Sequence, residues 1–324
     1  MTKEITIQKF TITAENPTTE VQSKPKCNKW KQHGITVAGG NRKGDKLNQL
    51  SLPFAIYIDD NKSILIADTG NDRIVEWKHN SNSGEIIAGG NGQGDSLDQF
   101  NSLIDIAVDK EKNAIIICDM GNARVMRWFR QSQTNPQILI SDIVCGGVAI
   151  DKSGSLYVSD DSKSEVRRWK EGETVGTVVA GGNGKGNLLN QLKTPGKIFV
   201  DEEYSVYVAD EYNDRIMKWE KDAKEGIMVA SGNEGVGAPN QLYRPLAVIV
   251  DNLDQIYIAV PFGHQIMQWR EGDAQGSIVA GGNGEGDEPD QLLFPRGVSF
   301  DNEGNLYVAD SQNHRIQKYE PCTE

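Results

Sequence analysis

The chain of 324 residues has no run of eighteen apolar residues, which argues against a transmembrane helix. It also has no basic excess: 34 Lys and Arg face 46 Asp and Glu, for a formal net charge of -12. Nucleic acid and anionic membrane surfaces attract the opposite balance, so neither is expected as a partner. Met1 to Lys9 has no long apolar segment of the secretory kind, which predicts a cytoplasmic protein as written, or an extracellular one if a signal was removed. Histidine is scarce. His33, His79, His264 and His314 are scattered and offer no cluster for zinc. There is no G-x-S-x-G and no sustained helical periodicity, so neither a nucleophile elbow nor a helical bundle is indicated.

Repetition is what the sequence has in abundance. Ala38-Gly39-Gly40-Asn41 recurs at Ala88, Ala180 and Ala280, and as Ala230-Ser231-Gly232-Asn233. A second signature, IADTGNDRI over Ile66 to Ile74, recurs with its Asp column at Asp68, Asp119, Asp160, Asp210, Val260 and Asp310. The spacing is 50 or 51 residues, except for 41 between Asp119 and Asp160. An aromatic column keeps step, from Trp77 to Tyr319. Length alone suggests about two domains, but six near-copies of one unit overrule it.

Within a unit the runs are short and β-rich. In the last, Gly297–Phe300 and Leu306–Ala309 flank a Gly/Asn turn, Arg315–Tyr319 gives a third strand, and segments of the Gly276–Ala280 type give a fourth. Four strands at this period read as one blade of a propeller. The predicted fold is therefore all-β: six blades of four antiparallel strands. The chain opens on a fourth-strand sequence, residues 35–38, and closes on a third strand. Residues 35–38 are thus expected to complete the last blade and remove both free edges. Residues 1–26 read as an extension and linker, and 27–324 as the propeller.

Proline, then Gly-(I/V), then D-x-x-G-x-(I/L)-Y-(V/I)-A-D-x-x-N-x-R-I is a pattern that resembles the NHL repeat. Pro295 to Ile316 (PRGVSFDNEGNLYVADSQNHRI) follows it almost throughout, and Pro195 to Ile216 and Pro53 to Ile74 follow it well. The resemblance covers roughly residues 35–320. It implies a six-bladed β-propeller acting mostly as a binding platform, for proteins or, in members attached to ubiquitin ligases, for RNA. It also brings in related propellers that are metal-dependent lactonases, esterases or lyases. The acidic turns disfavour RNA here, and no RING or B-box pattern is attached.

Residues repeated in every blade are read as scaffold: Asp68 with Arg73 as a hairpin or inter-blade bridge, and the Trp column as filling between blades. The Gly-rich loops lack phosphate-loop spacing and precede no helix. A loop such as Asn283 to Asp290 offers oxygens to calcium but does not match an EF-hand, so no cofactor is expected.

Function is sought where the symmetry breaks. The loop between blades two and three is about ten residues short, leaving a notch. Beside it lie Cys118, next to Asp119, and Cys145, in a column otherwise rich in Pro; they are disulfide-bonded, metal-binding or, by default, buried inert thiols. Cys27 and Cys322 flank the two closing strands and pair if the compartment is oxidising. Two residues beyond the Pro column, Asp105 and Lys197 alone carry charge, as an acid–base pair, a ligand-holding pair at the channel mouth, or a plain ion pair. In blade five Val260-Pro261-Phe262-Gly263-His264 replaces the usual motif, and Phe262 with Tyr212 suggests an exposed aromatic contact patch. The expectation is a monomeric recognition scaffold for a protein or small ligand, with a metal-dependent hydrolase or lyase, its cation in the channel, as the alternative.

Overall fold

The structure is a computed structural model; it describes residues 30–130, 135–232, 242–270 and 272–322. Six four-stranded antiparallel sheets stand around one axis. Their first strands are Pro53–Ile58, Leu103–Asp109, Cys145–Ile150, Pro195–Val200, Ala247–Val250 and Pro295–Phe300, and these pack against one another as the inner ring. The sixth sheet is completed by Ile35–Gly39, which pairs antiparallel with Arg315–Tyr319, Thr36 opposite Gln317. The ring closes as expected.

Burial changes from axis to rim. Ile64–Asp68, a second strand, is buried throughout because neighbouring blades cover both of its faces. That is why it reads as a continuous apolar run rather than an alternating one. The outermost strand of the same blade, Glu85–Gly89, exposes its first two residues. The core is accordingly divided into six clusters between adjacent blades. One joins Ile56, Ile66 and Trp77 of blade one to Tyr307 and Ile316 of blade six. Another joins Ile116 and Val125 of blade two to Val148 and Val158 of blade three.

Four of the six outer strands end in glycine for a steric reason. Gly39 has φ +69°, and a Cβ there would lie 2.4 Å from the carbonyl oxygen of His314. In five blades the second and third strands are joined by single 3-10 turns, such as Thr69–Asn71, that end on a left-handed residue. The connection from blade two to blade three is three residues, 142–144, between Gln137–Ser141 and Cys145–Ile150. The corresponding connection between blades one and two runs from 90 to 102. Cys27 and residues 1–26 lie outside the described residues, and with them the proposed Cys27–Cys322 pairing and the N-terminal extension.

Candidate functional site

The Asp and Arg columns build the rim of the face on which the Gly-rich loops lie. Arg73 Nε donates to Asp68 Oδ2 at 2.7 Å, and its outer nitrogens donate to the carbonyls of Asp45, Lys46 and Gln49 in the preceding loop. Asn71 adds bonds to Asp68 and to the carbonyl of Gly44. Arg124, Arg215 and Arg315 repeat the arrangement. One guanidinium thus ties a hairpin to an inter-blade loop that has no regular structure of its own. Burial pushes the Asp68, Asp210 and Asp310 carboxyls up, against their hydrogen bonds and the arginines. Where the loop is deleted, in blade three, there are no such carbonyls to hold, and Glu165 stands in place of arginine. In the sixth blade the same guanidinium already takes the carbonyls of Asp287 and Glu288, in the loop considered for calcium.

Asp105 and Lys197 meet across the axis. Lys197 Nζ lies 3.3 Å from Asp105 Oδ1 and donates to the Phe54 carbonyl at 2.9 Å. Asp105 Oδ2 accepts from the backbone of Val148 at 2.9 Å. Blades one to four are therefore joined through two buried side chains. Burial raises the Asp105 pKa and lowers that of Lys197, each against the attraction of the other. The pair does not line the cleft at the channel mouth; it lies one position further along the inner strands.

That cleft, about 420 Å³, receives residues from all six blades. One ring of lining positions follows the Pro column: Phe54, Ile104, Gly146, Gly196, Leu246 and Arg296. A second ring follows the Asp column: Thr69, Met120, Asp161, Glu211 and Pro261. Phe262 and Phe294 form an aromatic wall, with ring centroids 5.3 Å apart. Arg244 pairs with Glu211 at 2.5 Å, while its guanidinium lies 4.2 Å from the Tyr212 ring and 4.9 Å from that of Phe262. The Glu211 carboxyl is pushed up by burial and held back by Arg244. Arg296 lies 4.5 Å over the Phe54 ring, and its pKa is lowered by burial.

Of the residues singled out in the sequence, Phe262 reaches the cleft and Tyr212 sits on its rim behind Arg244; they are 45% and 46% exposed. Cys118 and Cys145 are joined by a disulfide between blades two and three, with Cα atoms 5.8 Å apart. The default reading of inert thiols is therefore corrected: the inner strand beginning at Cys145 is antiparallel to its neighbour in the sheet and packs beside blade two, bringing the two side chains together. Both cysteines are buried and neither lines the cleft.

Sequence reasoning missed Arg296, Asp161, Glu211 and Arg244. Part of the signal was available, since Arg296 is the lone charge in its column. The column chosen instead, one residue further along, faces the neighbouring inner strands. His264 and His314 have a structural role. Their Nδ1 atoms accept from the backbones of Phe294 and Leu52 in the next blade's loop, and burial lowers both pKa values.

The arrangement is that of a six-bladed β-propeller with a closed inner ring and an axial cleft. Residues 292–319 match the family model of the NHL repeat, so the sixth blade carries that repeat. A search of curated proteins finds no match. Among solved structures, an auxiliary nutrient binding protein from Bacteroides thetaiotaomicron is similar at TM-score 0.68 and 15% identity, over 89% of this chain and 76% of that one. A gluconolactonase from Xanthomonas campestris is similar at TM-score 0.62 and 12% identity, over 85% and 87%. Virginiamycin B lyase from Staphylococcus aureus is similar at TM-score 0.55 and 11% identity, over 89% and 98%. At these identities the likeness is one of fold.

Proposed function

We propose that the protein is a non-enzymatic recognition scaffold that takes a small organic ligand in the axial cleft. One observation carries this reading: all six blades contribute to a single concave site that has an aromatic wall and a few convergent charges. Its volume is in the usual range for small-molecule sites, and its mixture of apolar lining and sparse polar groups is the usual one. Similarity to nutrient-binding propellers supports the same reading.

The metal-dependent alternative finds less support in the axial donors. Asp105, the acid that the inner column offers, already faces the Lys197 ammonium. Among the described residues no three His, Cys, Asp or Glu are grouped to hold a metal.

The test is a thermal-shift screen of small organic molecules, followed by calorimetry on Phe262→Ala and a structure with the strongest binder. Stoichiometric binding in the cleft, weakened by Phe262→Ala, is expected. A bound calcium or zinc that purifies with the protein and is lost on Asp105→Ala would overturn the reading. So would ligands that bind with no dependence on cleft residues.

A further inference from the structure

Two opposite charges in the cleft are left over once its ion pairs are formed. Within the cleft Arg244 is matched by Glu211, and one position beyond its lining Lys197 is matched by Asp105. Arg296 has a ring beneath it and feels the Glu211 carboxylate, already paired with Arg244, but among the described residues no carboxylate is within 4 Å of it. Asp161 likewise has no side-chain partner among them; only its backbone is bonded, to Val144 and Ser164. Both line the cleft.

They stand on opposite sides of the axis. Arg296 is on the inner strand of blade six, and Asp161 follows the second strand of blade three. In a ring of six, those blades face each other. Beside Asp161 the lower ring is glycine at both Gly146 and Gly196, so that wall is bare. Glycine is imposed there by packing, since a Cβ on Gly146 would lie 2.2 Å from the Pro195 carbonyl oxygen and one on Gly196 2.9 Å from that of Leu246. The result is a cleft with a cation at one end, among Phe54, Phe262 and Phe294, and an anion at the other.

We infer that the ligand is a zwitterionic short peptide with an apolar side chain, its terminal carboxylate on Arg296 and its terminal ammonium near Asp161. This inference rests on the small-ligand reading above and narrows it. A guanidinium binds a carboxylate through paired N–H donors, and a half-buried one that has lost water gains more from doing so. A ligand with only one charge would leave the opposite group desolvated and unmatched, which disfavours it. The aromatic wall suits an apolar body, and a ligand of zero net charge preserves the balance of the cleft.

The probes are L-leucyl-L-phenylalanine and L-leucyl-L-leucyl-L-phenylalanine, against the N-acetylated and the C-terminally amidated forms of each, which keep one charge. Calorimetry would be run on the full chain and on the variants Arg296→Gln, Arg296→Lys and Asp161→Asn, each checked for an unchanged circular dichroism spectrum. At least one zwitterion is expected to bind about tenfold or more tighter than both single-charge analogues, as a charge-assisted contact implies. Arg296→Gln should remove the advantage over the amidated peptides, Asp161→Asn the advantage over the N-acetylated ones, and Arg296→Lys should retain part of the binding. Zwitterions that bind no better than the analogues, or that ignore both substitutions, overturn the inference. If other small molecules then bind with dependence on Phe262, the scaffold reading survives alone; if nothing binds the cleft, both fall.

Discussion

Cutting the axial ion pair tests the architecture at its centre. Lys197→Met removes the charge facing Asp105 and the bond to the Phe54 carbonyl, with little change in side-chain length. What remains is a carboxylate 7% exposed, held by the backbone of Val148. Removing one partner of a buried pair costs about 3–5 kcal/mol. Replacing both is far cheaper, because no lone charge is left, so Asp105→Asn with Lys197→Met should cost only about 1–2 kcal/mol. The cycle should therefore show a coupling of about 2 kcal/mol or more, which a pair in direct contact can carry. Equilibrium urea unfolding of the four proteins at constant m-value would measure it.

The pH dependence adds a sign. Burial raises the folded-state pKa of Asp105 even with its partner present. In Lys197→Met the upward shift grows, so the deficit relative to wild type should be largest near neutral pH and shrink on acidification as Asp105 takes a proton. A deficit below about 1 kcal/mol, with coupling within about 0.5 kcal/mol of zero, would mean that the two groups are solvated and do not cross-link the axis.

Two further outcomes follow from the scaffold. Arg124→Met strips the bonds to Asp119 and to the carbonyls of Asp95, Ser96 and Gln99; it should cost about 3 kcal/mol and speed amide exchange in residues 94–100 while leaving residues 184–192 unchanged. His264 and His314 have folded pKa values below the ordinary 6.5, so their contribution to stability is present above that value and declines as pH falls through it toward the folded values. His264 faces Glu285 and Asp310, which oppose the downward shift, and His314 faces Lys43, which adds to it. Melting temperature should therefore drop between about pH 7.5 and 5.5, with a flatter profile in His314→Gln.

The ring was legible because its signals are local and recur six times. Asp68 and Arg73 lie five residues apart in sequence and bond directly, so a repeated motif reports a repeated contact. The short blade-three connection was visible as a missing stretch, and the loss of arginine at Glu165 is its physical corollary. The axial cleft was only half legible. Phe262 stood out as a departure within its blade, but Arg296, Asp161 and Arg244 come together only after the strands are placed around an axis. Adjacent residues on a strand point to opposite faces, so of the readings open for Asp105 and Lys197, which stand one position beyond the cleft lining, the plain inner-ring ion pair is the one borne out. The disulfide was one of several open readings for a similar reason: 27 residues separate its cysteines, and only the packing of blade three beside blade two decides the matter.

The stitch between Ile35–Gly39 and Arg315–Tyr319 also governs when the molecule can be finished. Thr36 and its hydrogen-bond partner Gln317 are 281 residues apart, so during synthesis the earliest strand emerges long before its mate exists. Five blades can assemble on the ribosome while that strand waits as an unpaired edge, exposed to the same adventitious pairing that a completed circle prevents. The hazard carried by the first strand of the ring is thus retired only once the ring's final strand has been made.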